Sequence, residues 1–146
     1  MNRGLAIAEW RRARQALGAA EVLARNLGAA EVLARDGYFA DAVSRSYYAV
    51  LHAAKAALYV HDVDAESHAA VRRLFGLHLV VTGEIEREWS ANLSEGVDDR
   101  LAADYDLETS FSEQDARSEY CRSQEFLDRI RQYLLANSFS ASELQQ

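Results

Sequence analysis

Not one proline interrupts the 146 residues of this chain, and only seven are glycine. Proline breaks helices and glycine weakens them, so a chain with none of the first and few of the second can run in long helices. Alanine, leucine, glutamate and arginine dominate the remainder, and all four favour the helix. Apolar residues recur with helical period almost throughout, and no stretch alternates as a strand does. The expected fold is all-α: an antiparallel up-and-down bundle of about five helices. The expected organisation is one helical domain over residues 1–136 and a flexible tail over 137–146.

A first helix is expected over about Leu5–Arg35, ended by "RDGYF", where Gly37 suits a C′ position. A second covers about Tyr38–Val60. A third opens at Ser67, which can cap it, and ends near "VTGEI". A fourth spans roughly Glu84–Ala103, and "DYDLETSFS" reads as a loop. Ser112 before "EQD" opens a fifth, which reaches about Leu135. The first helix contains a tandem repeat, "LGAAEVLARN" at 17–26 and "LGAAEVLARD" at 27–36. Ala13, Ala16, Ala20, Leu23, Leu27, Ala30 and Ala34 keep spacings of three and four across the junction, so one unbroken helix of roughly 45 Å is possible. It would overhang the bundle or pack on another subunit; a bulge or loop absorbing the extra residues is the competing outcome. The repeat is readable as a duplication with no function of its own or as an added oligomer contact.

Several function classes recede at once. The single cysteine, Cys121, excludes an internal disulfide framework and is compatible with a reducing cytoplasm. In a helix with no base nearby, it is expected to be a buried structural thiol. "MNRGLAIAEWRRAR" lacks the apolar core of a signal peptide, and no run approaches the ~18 apolar residues of a membrane span. The net charge of −7 argues against a general nucleic-acid coat, so RNA could be held only by a local basic patch. Arg11, Arg12 and Arg14 form the densest basic run, and Lys55, Arg72 and Arg73 could line an RNA path; a solvated surface is the default for all six. His61, His68 and His78 show no metal-ligand spacing, and His68 reads as a helix-start or packing residue. No glycine-rich phosphate loop is present, which excludes a P-loop nucleotide hydrolase. Neither metal nor cofactor is expected.

The second helix carries the chemistry, in "RSYYAVLH" at 45–52. Val43, Tyr47, Val50, Ala54 and Leu58 make a core stripe, with Leu51 and Ala57 on its flanks. The opposite face holds Arg45, Tyr48, Ala49, His52, Ala56 and Tyr59. Arg45 and His52 differ by only about 20° around the axis and about 10 Å along it, with Tyr48 one turn from each. A solvated face would carry lysine and glutamate. Small alanines beside arginine and tyrosine mark a face that meets something: a helix of the same chain, a second copy, or a ligand. Histidine can move protons near neutral pH, and arginine suits phosphate. Together they could cleave RNA at the 2′-hydroxyl without metal, or they could simply hold helices or subunits together.

"FADAVSRSYYAVLHAAKAAL" resembles the central helix of HEPN-domain proteins, and "SHAAVRRLFGLHLVVTGEI", "RLAADYD" and "SEQDARSEYCRSQEFLDRIRQYL" extend the resemblance over about residues 10–135. It points to the small prokaryotic HEPN group: helical bundles, commonly homodimeric, often paired with a minimal nucleotidyltransferase. Many such proteins are toxin ribonucleases with an arginine, four to six residues, then histidine; Arg45 and His52, with six between them, match. The resemblance implies that Arg45 and His52 are catalytic, with one cleft composed from two subunits through the second helix. Ser46, Tyr48 and Lys55 would bind substrate, and Arg100, Asp104 and Tyr105 of "RLAADYD" would form a structural motif. Some toxin members carry a tyrosine two residues after the histidine, which the partner modifies; Ala54 stands there, so that switch does not carry over. The implied function is a metal-independent endoribonuclease toxin, cytoplasmic, with a nucleotidyltransferase antitoxin. The alternatives are a non-catalytic nucleotide- or substrate-binding partner of a nucleotidyltransferase and a helical oligomeric scaffold.

Overall fold

The computed structural model describes residues 1–25, 32–94 and 111–145, with side chains throughout except at 22–25 and 32–38. Every regular element among them is helical: α1 Arg3–Arg25, α2 Val32–Tyr59, α3 His68–Phe75 continuing as a π turn over Gly76–Val80, α4 over 88–94, α5 Glu113–Ala136 and α6 Ala141–Gln145. The all-α expectation holds. Ser67 caps α3, its hydroxyl accepting from the Ala70 amide, and Ser112 and Asp115 close a reciprocal capping box on α5. In the π turn the Val81 amide reaches back five residues to the Gly76 carbonyl. The chain then leaves through Gly83, whose φ of 81° a side-chain-bearing residue rarely adopts.

The first helix is shorter than expected. It is described as far as Arg25, and a second, antiparallel helix α2 is already under way at Val32 and passes through Gly37 without stopping. The repeat therefore does not build one overhanging rod: residues 17–25 lie in α1, and residues 32–36 lie in α2. The two helices form an antiparallel hairpin, with the Asn2 amide on the Tyr59 carbonyl at one end and Ala16 beside Arg45 further up. Helix α4 begins at 88 rather than 84, and its expected end lies outside the described residues, as does most of "DYDLETSFS".

Helix α2 is the axis of the bundle. Val43, Tyr47, Val50, Ala53, Ala54, Ala57 and Leu58 are buried on one side, and Ala49, Ala56 and Tyr59 on the other. The small residues on the second side admit α1, whose Ala6, Trp10 and Ala13 join the same core. The first side receives α3 and α5, where Phe75 and Trp89 pack on Phe126 with ring centroids 5.8 and 6.2 Å apart. Truncating a fully buried phenylalanine such as Phe126 costs roughly 3–5 kcal/mol.

The C-terminal segment is docked, not frayed. Phe139 and Leu144 are buried, Ser140 and Glu143 cap α6 reciprocally, and Glu143 pairs with Arg3 at 2.9 Å. The Trp10 indole and the Arg14 guanidinium both donate to the Leu144 carbonyl. Cys121 is exposed rather than buried. Buried Ala116, Ser123, Phe126, Leu127 and Ile130 define the inner face of α5, and Cys121 sits about 200° around the axis from Ser123. No helix among the described residues is long and apolar enough to cross a membrane.

Candidate functional site

The α1–α2 hairpin covers Ala49 and Ala56 and stops short of their neighbours. Arg45 remains exposed, and Tyr48 and His52 are half-buried at the seam. Between the helices lies a cavity of about 350 Å³ lined by Arg12, Gln15 and Ala16 of α1 and by Arg45, Tyr48 and His52 of α2. The Tyr48 and His52 rings lie nearly parallel, with centroids 6.5 Å apart. Arg45 makes no ion pair among the described residues, so its guanidinium is available to a ligand.

Glu9, one turn below the cavity on α1, completes the site. Its carboxylate is buried, and His52 Nδ1 lies 2.6 Å from Oε2. A carboxylate only accepts, so Nδ1 carries the proton, and Nε2 is left as the nitrogen able to take or give one. Arg12 reaches the other oxygen at 3.0 Å, and Lys55 stands 3.6 Å from it. Burial pushes the Glu9 carboxyl up, but the His52 hydrogen bond and the charges of Lys55, His52 and Arg12 outweigh it and hold Glu9 below its ordinary value. Buried charge persists only where it is paired, and Glu9 has three partners.

Glu9 was legible only indirectly. Ala6, Glu9, Trp10 and Ala13 follow the i, i+3, i+4, i+7 spacing of a buried helical face, and an acid on such a stripe signals a partner across the interface. Arg45, Tyr48 and His52 come together as the helix period predicts. Ser46 does not join them: it is fully buried on the Val43–Val50 side of α2, its hydroxyl without a hydrogen-bond partner among the described residues. Lys55 lies beyond the cavity and braces Glu9. Arg100, Asp104 and Tyr105 lie outside the described residues.

His68 packs on Tyr47, its Nδ1 2.9 Å from the phenol oxygen. His61 binds Glu84 at 2.8 Å, next to Tyr133 and over His78. Among the described residues no three metal-ligating side chains converge.

Residues 8–133 match the HEPN domain family, and the chain belongs to it. A UPF0332 protein of Gloeobacter violaceus is 33% identical over 124 residues, 84% of this chain and 90% of that one. A protein of Methanocaldococcus jannaschii named "Putative toxin" is 35% identical over 91 residues, 62% of this chain and 67% of the relative. A UPF0332 protein of Pyrococcus horikoshii is 44% identical over 57 residues, 39% of this chain and 40% of its own length.

Proposed function

We propose that this protein is a metal-independent endoribonuclease toxin of the HEPN type, acting within a toxin–antitoxin pair and restrained by a nucleotidyltransferase antitoxin. The observation that carries the reading is the Glu9–His52 pair at the edge of a cavity that also holds exposed Arg45. Glu9 orients the imidazole, and Nε2 removes the proton from a ribose 2′-hydroxyl. The 2′-oxygen attacks the adjacent phosphorus, and the P–O5′ bond breaks, leaving a 2′,3′-cyclic phosphate and a 5′-hydroxyl. Arg45 and Arg12 stabilise the charge that builds on the phosphoryl oxygens. Tyr48, one turn from both motif residues, positions or stacks a base.

The reaction needs a base for the 2′-hydroxyl and an acid for the 5′-oxygen, while the cavity of one chain has one histidine. A two-fold pairing through the exposed edge of α2 brings a second Arg45 and His52 to the same cleft and supplies the other proton. An Arg45 locked to an acid of its own chain would have favoured a scaffold; the lack of any ion pair to it among the described residues favours a ligand.

The test is RNA cleavage with metals chelated, comparing wild type with His52→Ala and Arg45→Ala, all confirmed folded and dimeric. Loss in both variants and cyclic phosphate at the new end are expected. A wild type that binds nucleotide and cuts no RNA across a broad panel would instead make the cleft a binding module.

A further inference from the structure

The cleft does not stop at Arg12. A second depression of about 240 Å³ is lined by Arg11, Arg14, Gln15 and Gln145, and shares Gln15 with it. A third, of about 210 Å³, shares Arg14 and Gln145 with the second and reaches Gln124, Asp128 and Arg131 of α5. On the wheel of α1, Arg12, Gln15, Arg11 and Arg14 follow one another in steps of about 60°, 40° and 60°, with a net rise of only about 3 Å. The three depressions therefore adjoin one another in a row across the solvent face of α1, nearly at right angles to its axis, and we treat the row as one groove. It runs from Arg45 on α2 to Arg131 on α5.

The charge along this groove opposes that of the chain. The protein has 23 acidic and 16 basic residues, yet among the described residues the groove is lined by Arg45, Arg12, Arg11, Arg14 and Arg131 against one acidic side chain, Asp128. Glu9 lies buried beneath Arg12. The Arg12 and Arg14 guanidinia already bond to Glu9 and to the Leu144 carbonyl, which holds them in place. A guanidinium has five donors, so each keeps others for a ligand. Along the groove, Gln15, Gln124 and Gln145 add amides that also bond phosphate and sugar oxygens.

We infer that this groove is a track for the sugar–phosphate backbone of single-stranded RNA, leading to the Arg45–His52 cleft across α1 from α5 and α6. The inference rests on the ribonuclease reading of the cleft and extends it to the substrate. The path bends around one helix of about 10–12 Å diameter, which a single strand follows and a stiff duplex does not. It supplies the local basic patch that a chain of net charge −7 needs to hold RNA.

The experiment is fluorescence anisotropy of a labelled single strand of about twelve nucleotides on full-length His52→Ala protein, which holds RNA without cutting it. Arg11→Gln with Arg131→Gln removes two groove charges. Arg72→Gln with Arg73→Gln removes the same charge from exposed positions on α3, off the groove. The groove pair is expected to weaken binding about tenfold or more and to lower the log–log salt slope by roughly one to two; the α3 pair changes affinity less than about twofold. A labelled dinucleotide, which fills the cleft alone, binds both alike. Should circular dichroism show the Arg131 variant misfolded, Arg11→Glu alone carries the same test. Unchanged binding in the groove variants, equal loss in the α3 control, or an acidic peptide held where RNA is not would overturn the inference. Groove-dependent RNA binding by a wild type that cuts nothing would retain the track and remove the ribonuclease reading. Cleavage indifferent to the groove substitutions would do the reverse.

Discussion

Among the described residues, two histidine–glutamate pairs share a similar geometry and differ in standing. His52 lies 2.6 Å from Glu9 and His61 2.8 Å from Glu84. Around the first, Arg12 and Lys55 also press on the buried carboxylate, and the imidazole lines a cavity shared with Arg45. Around the second, Thr82 and Tyr133 both donate to the Glu84 carboxylate, and Tyr133 OH stands 3.2 Å from His61 Nε2. That knot ties the end of α2 to α5 and to the turn after α3, and His61 lines none of the three groove depressions. A histidine–carboxylate bond alone does not make a site. What distinguishes the first pair is that its imidazole lines a cavity shared with exposed Arg45, which leaves space for a ligand.

The largest expected effect separates the two histidines. His52→Ala should lower RNA cleavage about 10³-fold or more, at the upper part of the range for a lost acid–base group, while His61→Ala should leave the rate within about threefold. A comparable loss in both would erase the distinction. Next, Arg45→Ala should cost roughly 10²–10³-fold in kcat, as removal of a phosphate-stabilising donor does, with the melting temperature nearly unchanged because Arg45 is exposed and pairs with nothing described.

Glu9→Gln should reduce kcat about tenfold to a hundredfold with little change in KM, since Glu9 orients His52 and does not line the cavity. Glu9→Asp should recover part of the loss, which a purely structural role would not require. At the other pair the sign reverses. Tyr133→Phe should leave cleavage alone and lower stability by about 1 kcal/mol, read in chemical denaturation, through one lost hydrogen bond to Glu84.

The smallest effect is the acid limb of stability. Arg129 grips Glu86 with two hydrogen bonds and holds its pKa at about 2, against an ordinary 4.5; Glu84 is lowered too, as hydrogen bonds from Thr82, Tyr133 and His61 outweigh its burial. With folded values depressed, the unfolded chain binds more protons below pH 4.5, so this contribution is present above that pH and is lost as pH falls towards 2. Glu86 is half exposed, which keeps the effect modest and sensitive to salt. Arg129→Ala should flatten the stability–pH curve in that window, and an unchanged slope would count against the pairing.

Sequence alone determined what repeats with the period of a helix or lies within a turn of it. Missing proline and the apolar spacing yield the all-α class, Ser67 and Ser112 mark two helix starts, and Arg45, Tyr48 and His52 fall on one line because 3.6 residues make a turn. The docked end was half legible as well: Ser140 and Glu143 spell a capping box that a tail reading passes over. Only the tertiary structure decided where the first helix stops. Two near-identical decapeptides have the same local propensity, so nothing within either says that one belongs to α1 and the other to an antiparallel α2 rather than both to one long helix. Packing chooses, by bringing Ala6 and Ala13 of α1 into one core with the small residues of α2. The same contact brings Glu9 to His52 across 43 residues of chain, and no helical period encodes a pairing between two helices.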